Sequence, residues 1–278
     1  MKKLITESIY FLMSCFLINS TIQGQTTYFN NLYDNTYNFY NNGNNVIIKD
    51  GKYMIIGNGS SSCDPCCDSS STDLFSIDTS GNVEWIKIYN YKSASEYVLF
   101  QSSIFIETPD NGYAVFTTLW YCIEPSGYTT TLTKLNVNGD SLWNKVIGAE
   151  ILNVKLTYDS GFIAIGSNFY KEDITSTSDF YLAKLDSLGN ILWANTYGDS
   201  INLEGAASVE FTDDGGYILF GITTDPDVIN RDIYIVKVDS IGNEQWNKKI
   251  ITSDDVQILG STKTMDGNYL VYGRHGGF

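Results

Sequence analysis

The stretch GAASVEFTDDGGYILFGITTDPDVINRDIYIVKVDSIGNEQWNKKI, residues 205–250, decides the fold. Runs rich in Ile, Val, Tyr and Phe predict β-strands at 205–212, 217–223 and 232–238, and a fourth strand through Trp246. The Asp- and Gly-rich segments between these runs favour tight turns, because Gly and Asn tolerate positive φ and Asp bonds its own backbone. The stretch therefore predicts one antiparallel sheet of four strands.

The rest of the chain repeats this unit at intervals of about 50 to 60 residues, a spacing typical of propeller blades. One turn motif, Asp/Asn-x-x-Gly-Asn/Asp-x-x-Trp, ends at Trp85, Trp143, Trp193 and Trp246. A second motif places Asp and Gly before an aromatic residue, at Tyr53, Tyr113, Phe162, Tyr217 and Tyr269. Most runs after the second motif end in Gly, although Thr117 stands there in the second copy. We interpret the Trp residues as packing elements between sheets.

Four complete repeats are predicted, at about 44–90, 97–148, 150–198 and 204–251, and 256–273 supplies two strands of a fifth. A single four-stranded sheet cannot bury both faces, and radial stacking of blades solves this. The predicted fold class is an all-β β-propeller of four-stranded antiparallel blades, four complete plus a partial closing blade, about five in all. Phe29–Tyr33 matches the last strand of a blade, but the closing blade lacks a third strand. This gap favours a truncated copy of a larger ring over a ring with a defective blade, since it exposes a sheet edge.

The repeated pattern also carries a resemblance to a known family. The segments Asp179–Trp193 and Asp232–Trp246, with the Asp-Gly-Gly-Tyr turn, resemble the β-propeller repeats of secreted bacterial surface proteins. Many such proteins are exported by the type IX secretion system. The resemblance covers nearly all of the chain after its N-terminal segment and implies the fold and an extracellular location. It does not imply one activity, because this fold hosts unrelated functions.

The N-terminal 24 residues predict a cleaved signal peptide, which leaves 25–278 as one propeller domain. Lys2 and Lys3 precede an apolar run at 9–18 that is too short to anchor the chain in a membrane. A lipoprotein modified at Cys15 is the alternative. The prediction is a secreted or cell-surface monomer without a transmembrane segment. The net charge of −15 disfavours nucleic acid and anionic membranes as partners.

Four cysteines lie in corresponding loops of the first two repeats. Three of them are in the first repeat, at Cys63, Cys66 and Cys67, and Cys122 is in the second. In an exported chain we expect a disulfide between Cys122 and one of the other three. A zinc site and a redox Cys-x-x-Cys motif are the alternatives.

A carboxylate precedes each predicted innermost strand, at Glu96, Glu150, Glu204 and Asp255. These four residues are expected to surround the mouth of the central channel. There they would bind a polar ligand, or a calcium ion through several oxygen ligands. The alternative is structural, with each carboxylate accepting backbone N–H groups or pairing with a Lys of the next blade.

Most known arrangements of catalytic residues are missing from the sequence. The only His is His275, which excludes a Ser-His-Asp triad. No cofactor is expected.

The sequence-based prediction is a non-enzymatic scaffold that binds an extracellular glycan or protein through its long-loop face, and a structural fragment without its own function is a further hypothesis. The enzymatic alternative is a carbohydrate-active hydrolase that uses acids at the channel mouth. Two carboxylates about 5 to 10 Å apart in unlike environments would favour the hydrolase.

Overall fold

The computed structural model describes residues 39–61, 70–91, 98–121, 127–172, 175–199, 201–224, 231–252 and 255–276. All regular secondary structure in these residues is β-strand. The strands are β1 (Phe39–Lys49), β2 (Lys52–Ser61), β3 (Ser70–Asp78), β4 (Val83–Tyr91), β5 (Val98–Glu107), β6 (Tyr113–Tyr121), β7 (Gly127–Leu135), β8 (Ser141–Val146), β9 (Glu150–Leu156), β10 (Phe162–Glu172), β11 (Thr175–Leu185), β12 (Ile191–Tyr197), β13 (Leu203–Phe211), β14 (Tyr217–Thr224), β15 (Arg231–Val238), β16 (Glu244–Ile250), β17 (Val256–Lys263) and β18 (Tyr269–His275). In these parts of the chain, no helix is long and apolar enough to span a bilayer.

The strands form antiparallel sheets in sequence order. The first sheet is β1 to β4, the second is β5 to β8, the third is β9 to β12 and the fourth is β13 to β16, and β17 pairs with β18 alone. One parallel pair, Ser178 with Leu203, joins the third sheet to the fourth. The all-β class and the four-stranded antiparallel sheets are therefore confirmed, and the strands of 205–250 closely match their predicted bounds.

Consecutive sheets pack face to face through the first strand of each. Strand β5 contacts the first sheet, β9 contacts the second, β13 contacts the third and β17 contacts the fourth. A separate apolar cluster fills each of these interfaces. Between the third and fourth sheets, the buried side chains include Ile165, Phe180, Leu182, Val209, Leu219 and Val236. The core is thus a series of layers between sheets, as expected for sheets that are apolar on both faces.

The repeated Trp residues join each sheet to the next. A methyl group added at Gly139 would lie 2.7 Å from the ring of Trp85, and one at Gly242 would lie 2.7 Å from Trp193. The glycines have positive φ, so the turn needs Gly for its backbone as well as for this close approach. Trp246 is 47 % exposed, since the described part of the fifth sheet has no corresponding turn. The structure thus agrees with the interpretation of Trp85, Trp143 and Trp193 as packing elements, and Trp246 has no such contact among the described residues.

A buried lysine connects the third strand of a sheet to the turn between its first two strands. Lys184 Nζ donates to Thr157 Oγ1 at 2.9 Å and to Asp159 Oδ1 at 2.8 Å. Hydrogen bonds from Lys184 and then Thr157 lower the pKa of Asp159 to about 2. Lys134 and Lys237 make the same contact with Asp110 and Asp214 in the second and fourth sheets. The sequence motif contains this Lys, but sequence reasoning gave it no role.

A glycine within the second strand faces a β-bulge in the first strand. The pairing of β10 with β9 skips Leu152 next to Gly166, and the pairing of β14 with β13 skips Ala207 next to Gly221. A bulge brings an extra backbone unit against its partner strand, which leaves no room for a Cβ. In the second sheet the register shifts between Val98 and Phe100, away from Thr117. The exception at Thr117 therefore has a structural cause.

Several predictions fall outside the described residues. These are the signal peptide at 1–24, the strand Phe29–Tyr33, the carboxylate of Glu96 and the cysteines Cys63, Cys66, Cys67 and Cys122. The disulfide, the export signal and the closing strand remain predictions.

Candidate functional site at the start of the innermost strands

The described carboxylates of the predicted ring lie at the beginning of their strands. Glu150 is the first residue of β9, Glu204 is the second of β13, and Asp255 immediately precedes β17. Strands β9 and β11 are both antiparallel to β10, and β13 pairs in parallel with β11. Strands β9 and β13 therefore run in the same direction, and Glu150 and Glu204 lie at the same end of the sheets. This end is called the mouth below.

The backbone on either side of Glu150 is held by two threonines of the second sheet. Thr130 Oγ1 donates to the carbonyl of Ala149 at 2.5 Å, and the N–H of Ile151 donates to Thr130 Oγ1 at 3.2 Å. Thr118 Oγ1 donates to the carbonyl of Ile151 at 3.2 Å. These bonds determine where the Glu150 side chain leaves the strand.

Glu150 is a buried residue whose carboxyl group has no partner in the described parts of the chain. Only 8 % of the residue is exposed, and its side chain makes no hydrogen bond or ion pair with any residue that the structure describes. Burial raises the pKa of Glu150 to about 7, because a desolvated carboxylate is costly. Glu150 is therefore able to hold or release a proton near neutral pH.

Glu204 has the same pKa in a different environment. It is 2 % exposed, and Thr223 Oγ1 donates to its Oε1 at 2.9 Å. Burial raises the pKa of Glu204 to about 7, the charges of Asp199 and Asp179 act in the same direction, and hydrogen bonds from Thr223 and the Asp199 N–H oppose them. Glu204 therefore has donors that favour its ionised form, whereas Glu150 has none.

Asp179 is a second acid beside Glu204, half-buried but with its Oδ1 atom shielded from solvent. A methyl group added at Gly198 would lie within 2.7 Å of both Asp179 Oδ1 and Glu204 Oε2, so these oxygens are less than twice that distance apart. Neither oxygen has a hydrogen-bond partner among the described residues. Burial, and then the charge of Asp199, raises the pKa of Asp179. The charge of Asp179 in turn adds to the raised pKa of Glu204.

The sequence analysis did not identify Asp179, although a difference between the third and fourth repeats indicates it. The corresponding residue of the fourth sheet is Asp232, whose Oδ1 accepts from the N–H of Thr252 at 2.9 Å and whose Oδ2 pairs with Lys249 at 3.2 Å. Lys249 lies opposite Tyr234, and Thr196 takes its place opposite Tyr181 in the third sheet. The loss of this lysine leaves Asp179 without its cation.

Asp255 behaves differently from the two glutamates. Arg231 Nε donates to Asp255 Oδ1 at 2.7 Å, and Arg231 also forms an ion pair with Oδ2. Hydrogen bonds from Arg231 lower the pKa of Asp255 to about 2. Asp255 thus fits the structural alternative, with Arg in place of the expected Lys. Glu204 fits it in part, because it accepts a hydrogen bond from the Asp199 N–H, and Glu150 does not fit it. The three described positions are not a uniform ring.

The described residues give no support to a metal site. They contain no group of three or more His, Cys, Asp or Glu side chains suited to hold a metal ion. A depression of about 580 Å³ lies between the first and second sheets, lined by residues that include Lys49, Asp110 and Asn136. These residues belong to turns at the end of the sheets opposite the mouth. The carboxyls with raised pKa therefore define the candidate site better than this depression does.

The comparisons with known proteins show similarity to solved structures only. No family model and no curated protein matches the sequence. Among solved structures, an endo-arabinase from Bacteroides thetaiotaomicron VPI-5482 has a TM-score of 0.46 at 12 % identity, over 81 % of this chain and 86 % of that one. A D477G ACO/RPE65 chimera has a TM-score of 0.42 at 11 % identity, over 80 % of this chain and 52 % of that one. A Trp149Ala mutant of Synechocystis apocarotenoid oxygenase has a TM-score of 0.34 at 10 % identity, over 80 % and 61 %.

One sequence-based prediction is corrected by these findings. The chain was expected not to be an enzyme, and the comparison with an endo-arabinase, which is an enzyme, contradicts that expectation. The site geometry also departs from the paired ring expected of a scaffold, because neither Glu150 nor Glu204 pairs with a cation among the residues that the structure describes. The non-enzymatic prediction is therefore not retained.

The raised pKa of Glu204 predicts a pH-dependent stability. Its folded-state pKa of about 7 exceeds the ordinary value of 4.5, so the folded protein binds more protons between these pH values. The stabilisation from the neutral carboxyl is complete below pH 4.5 and is lost as the pH rises through 7. We expect the free energy of unfolding of the wild type, relative to Glu204→Gln, to fall by up to roughly 3 kcal/mol between pH 5 and 8. Urea denaturation at both pH values measures this difference.

The control for this measurement is Asp255→Asn. The Asp255 carboxyl, with its pKa lowered to about 2, is ionised throughout the window from pH 5 to 8. This variant should therefore keep the wild-type slope of stability against pH. Equal slopes in the wild type and Glu204→Gln would contradict the assignment of a raised pKa to Glu204.

Proposed function

We propose that the protein is a carbohydrate-active hydrolase of propeller-like architecture, with Glu150 as proton donor and Glu204 as its partner base. The observation that carries the proposal is the contrast between the pKa values of the carboxyl groups at the mouth. Burial raises the pKa of Glu150 and Glu204 to about 7, while Arg231 lowers the pKa of Asp255 to about 2. Catalytic acids and bases work best with a pKa near the operating pH.

The fold part of the proposal is a ring of about five sheets around a channel lined by their first strands. Its support is the succession of contacts in which β5, β9, β13 and β17 each pack on the preceding sheet. The hairpin β17–β18 forms the beginning of the fifth sheet. In such a ring the first strands surround the axis, and their starting residues open on one face.

The two carboxyls have unlike surroundings, which suits unlike roles. Glycoside hydrolysis needs one carboxyl that protonates the leaving oxygen and one carboxylate that activates water or attacks the sugar. Glu150 has no donor to stabilise its charge, so it is the acid. Glu204 accepts a hydrogen bond from Thr223 and faces a donor N–H at Asp199, so its ionised form is the better stabilised of the two.

The strands between the two carboxyls keep them in register. Ser167 pairs with Glu150 across the sheet, and the N–H of Ala206 donates to Ser167 Oγ at 3.3 Å. Ser178 Oγ donates to the carbonyl of Glu204 at 3.0 Å. Both glutamates are thus held on the rigid innermost strands of neighbouring sheets, as a preorganised site requires.

The test is hydrolysis of a polysaccharide panel by residues 25–278. Arabinan, xylan, cellulose and galactan are incubated with the protein at pH 5 to 8, and reducing ends are measured with time. Cleavage of at least one polymer, with a bell-shaped pH profile that has a limb near pH 7, is the expected result. Absence of new reducing ends from every polymer would overturn the proposal.

A further inference from the structure

Two aromatic residues stack at the mouth next to Glu150. Trp120 near the end of β6 pairs with Tyr128 near the start of β7. Their ring centroids are 5.9 Å apart and the ring planes differ by 18°, so the rings are stacked. Both side chains are half-buried. Side chains alternate along a strand, and Trp120 therefore lies on the same face as Phe116, which packs towards the third sheet.

The aromatic pair lies on the strands that hold the backbone beside Glu150. Thr130, which bonds the backbone on both sides of Glu150, is two residues after Tyr128 on the same face of β7. Burial raises the pKa of Tyr128, and the charge of Glu150 raises it further. The aromatic rings and the acid therefore belong to one surface at the mouth.

The repeat itself does not require an aromatic residue at the position of Tyr128. The third strands of the sheets can be aligned by their buried Lys. In this alignment Ser178 and Arg231 occupy the position of Tyr128 in the third and fourth sheets. Those two side chains serve the backbone and an ion pair, since Ser178 bonds the Glu204 carbonyl and Arg231 pairs with Asp255. Tyr128 therefore departs from the repeat in the sheet that packs on Glu150, whereas Phe169, which pairs with Ser178, keeps an aromatic residue at the position of Trp120.

We propose that Trp120 and Tyr128 form a stacking platform for one ring of a neutral oligosaccharide, bound so that a glycosidic oxygen faces Glu150. This inference rests on the proposed function and adds its ligand class. Sugar rings present faces of C–H groups, and the faces of aromatic rings are negatively polarised, so the two stack favourably. Sites of this kind combine aromatic surface with a few placed polar groups. The net charge of −15 disfavours saccharides that carry carboxylates or sulfates.

Titration calorimetry with arabinopentaose, xylopentaose and cellopentaose tests the platform. The proteins compared are the wild type, Trp120→Ala, Tyr128→Ala and the control Trp246→Ala. Trp246 is exposed near the start of β16, at the end of the sheets opposite the mouth. We expect at least one pentasaccharide to bind the wild type, and each platform substitution to raise its Kd by about tenfold or more. The control should bind like the wild type, and thermal unfolding checks that every variant is folded.

The outcomes separate this inference from the proposed function. Binding that depends on Trp120 and Tyr128 without any cleavage would support the platform and overturn the hydrolase. Cleavage with an unchanged KM in both platform variants would overturn the platform and leave the hydrolase intact. Binding of none of the pentasaccharides, or equal Kd values in the wild type and the folded Trp120→Ala protein, would also overturn the platform.

Discussion

Replacement of Glu150 by Gln is expected to lower kcat on the hydrolysed polysaccharide by about 10² to 10⁴-fold. Gln keeps the shape of the side chain but has no proton to give to the leaving oxygen. The backbone bonds from Thr118 and Thr130 to the residues beside Glu150 do not involve its side chain, so the fold should be retained. Because burial raises the pKa of Glu150 to about 7, the limb of the pH profile that reports this acid should also disappear. Initial rates of reducing-end release at pH 5 to 8 measure both effects.

The matched control is Asp255→Asn, at the corresponding position before β17. Asp255 is held by Arg231, so this substitution removes a structural ion pair and no proton donor. Its kcat should stay within a few-fold of the wild type once the folded fraction is taken into account. If Glu150→Gln kept more than half of the wild-type kcat, Glu150 would not be the acid.

A leaving group that needs no protonation separates acid catalysis from a general loss of the site. The dinitrophenolate group of an aryl glycoside departs without help from an acid. The Glu150→Gln protein should therefore cleave such a substrate nearly as fast as the wild type, while its rate on the polysaccharide stays low. Equal losses on both substrates would assign Glu150 a role in binding or folding instead.

The architecture follows from short-range sequence features. The turn motifs set the strand ends, because Asp239 accepts N–H bonds from Ile241 and Asn243 within its own turn. Such local bonds require only the residues of the turn itself. The strands on either side then pair as hairpins, and the alternation of apolar residues buries both faces of each sheet. For this reason the bounds of β13 to β15 were close to those predicted.

The state of each carboxyl depends on contacts between sheets and was not predictable in the same way. Glu150, Glu204 and Asp255 look equivalent when the repeats are aligned by their turns. Arg231 reaches Asp255 across a loop, and a hydroxyl from β14 reaches Glu204. The residue types at these positions differ from one sheet to the next, as with Ser178 at the position of Arg231, so the turn motifs alone do not reveal the partners. The departures from the repeat, such as Thr196 in place of Lys249, are the sequence features that indicate function.

Replacement of Gly166 by Ala is expected to destabilise the protein by roughly 2 to 4 kcal/mol. The added Cβ would lie 2.6 Å from the carbonyl carbon of Glu150 and 2.9 Å from Cα of Ile151. Real Cβ atoms do not approach backbone this closely, and backbone atoms cannot rotate away as a side chain does. Strand β9 would have to shift, together with the residue that carries the proposed acid. Urea denaturation followed by fluorescence measures the loss.

Two other glycines on strands give a graded control for Gly166→Ala. A Cβ at Gly127 would meet no atom within 4 Å, so Gly127→Ala should change the free energy of unfolding by less than about 0.5 kcal/mol. A Cβ at Gly205 would lie 3.2 Å from the flexible side chain of Ile222, which predicts an intermediate loss. Thr117 shows that a side chain is accepted at the position of Gly166 when the bulge lies elsewhere in the first strand. Equal stabilities of Gly166→Ala and Gly127→Ala would mean that the bulge at Leu152 does not require glycine opposite it.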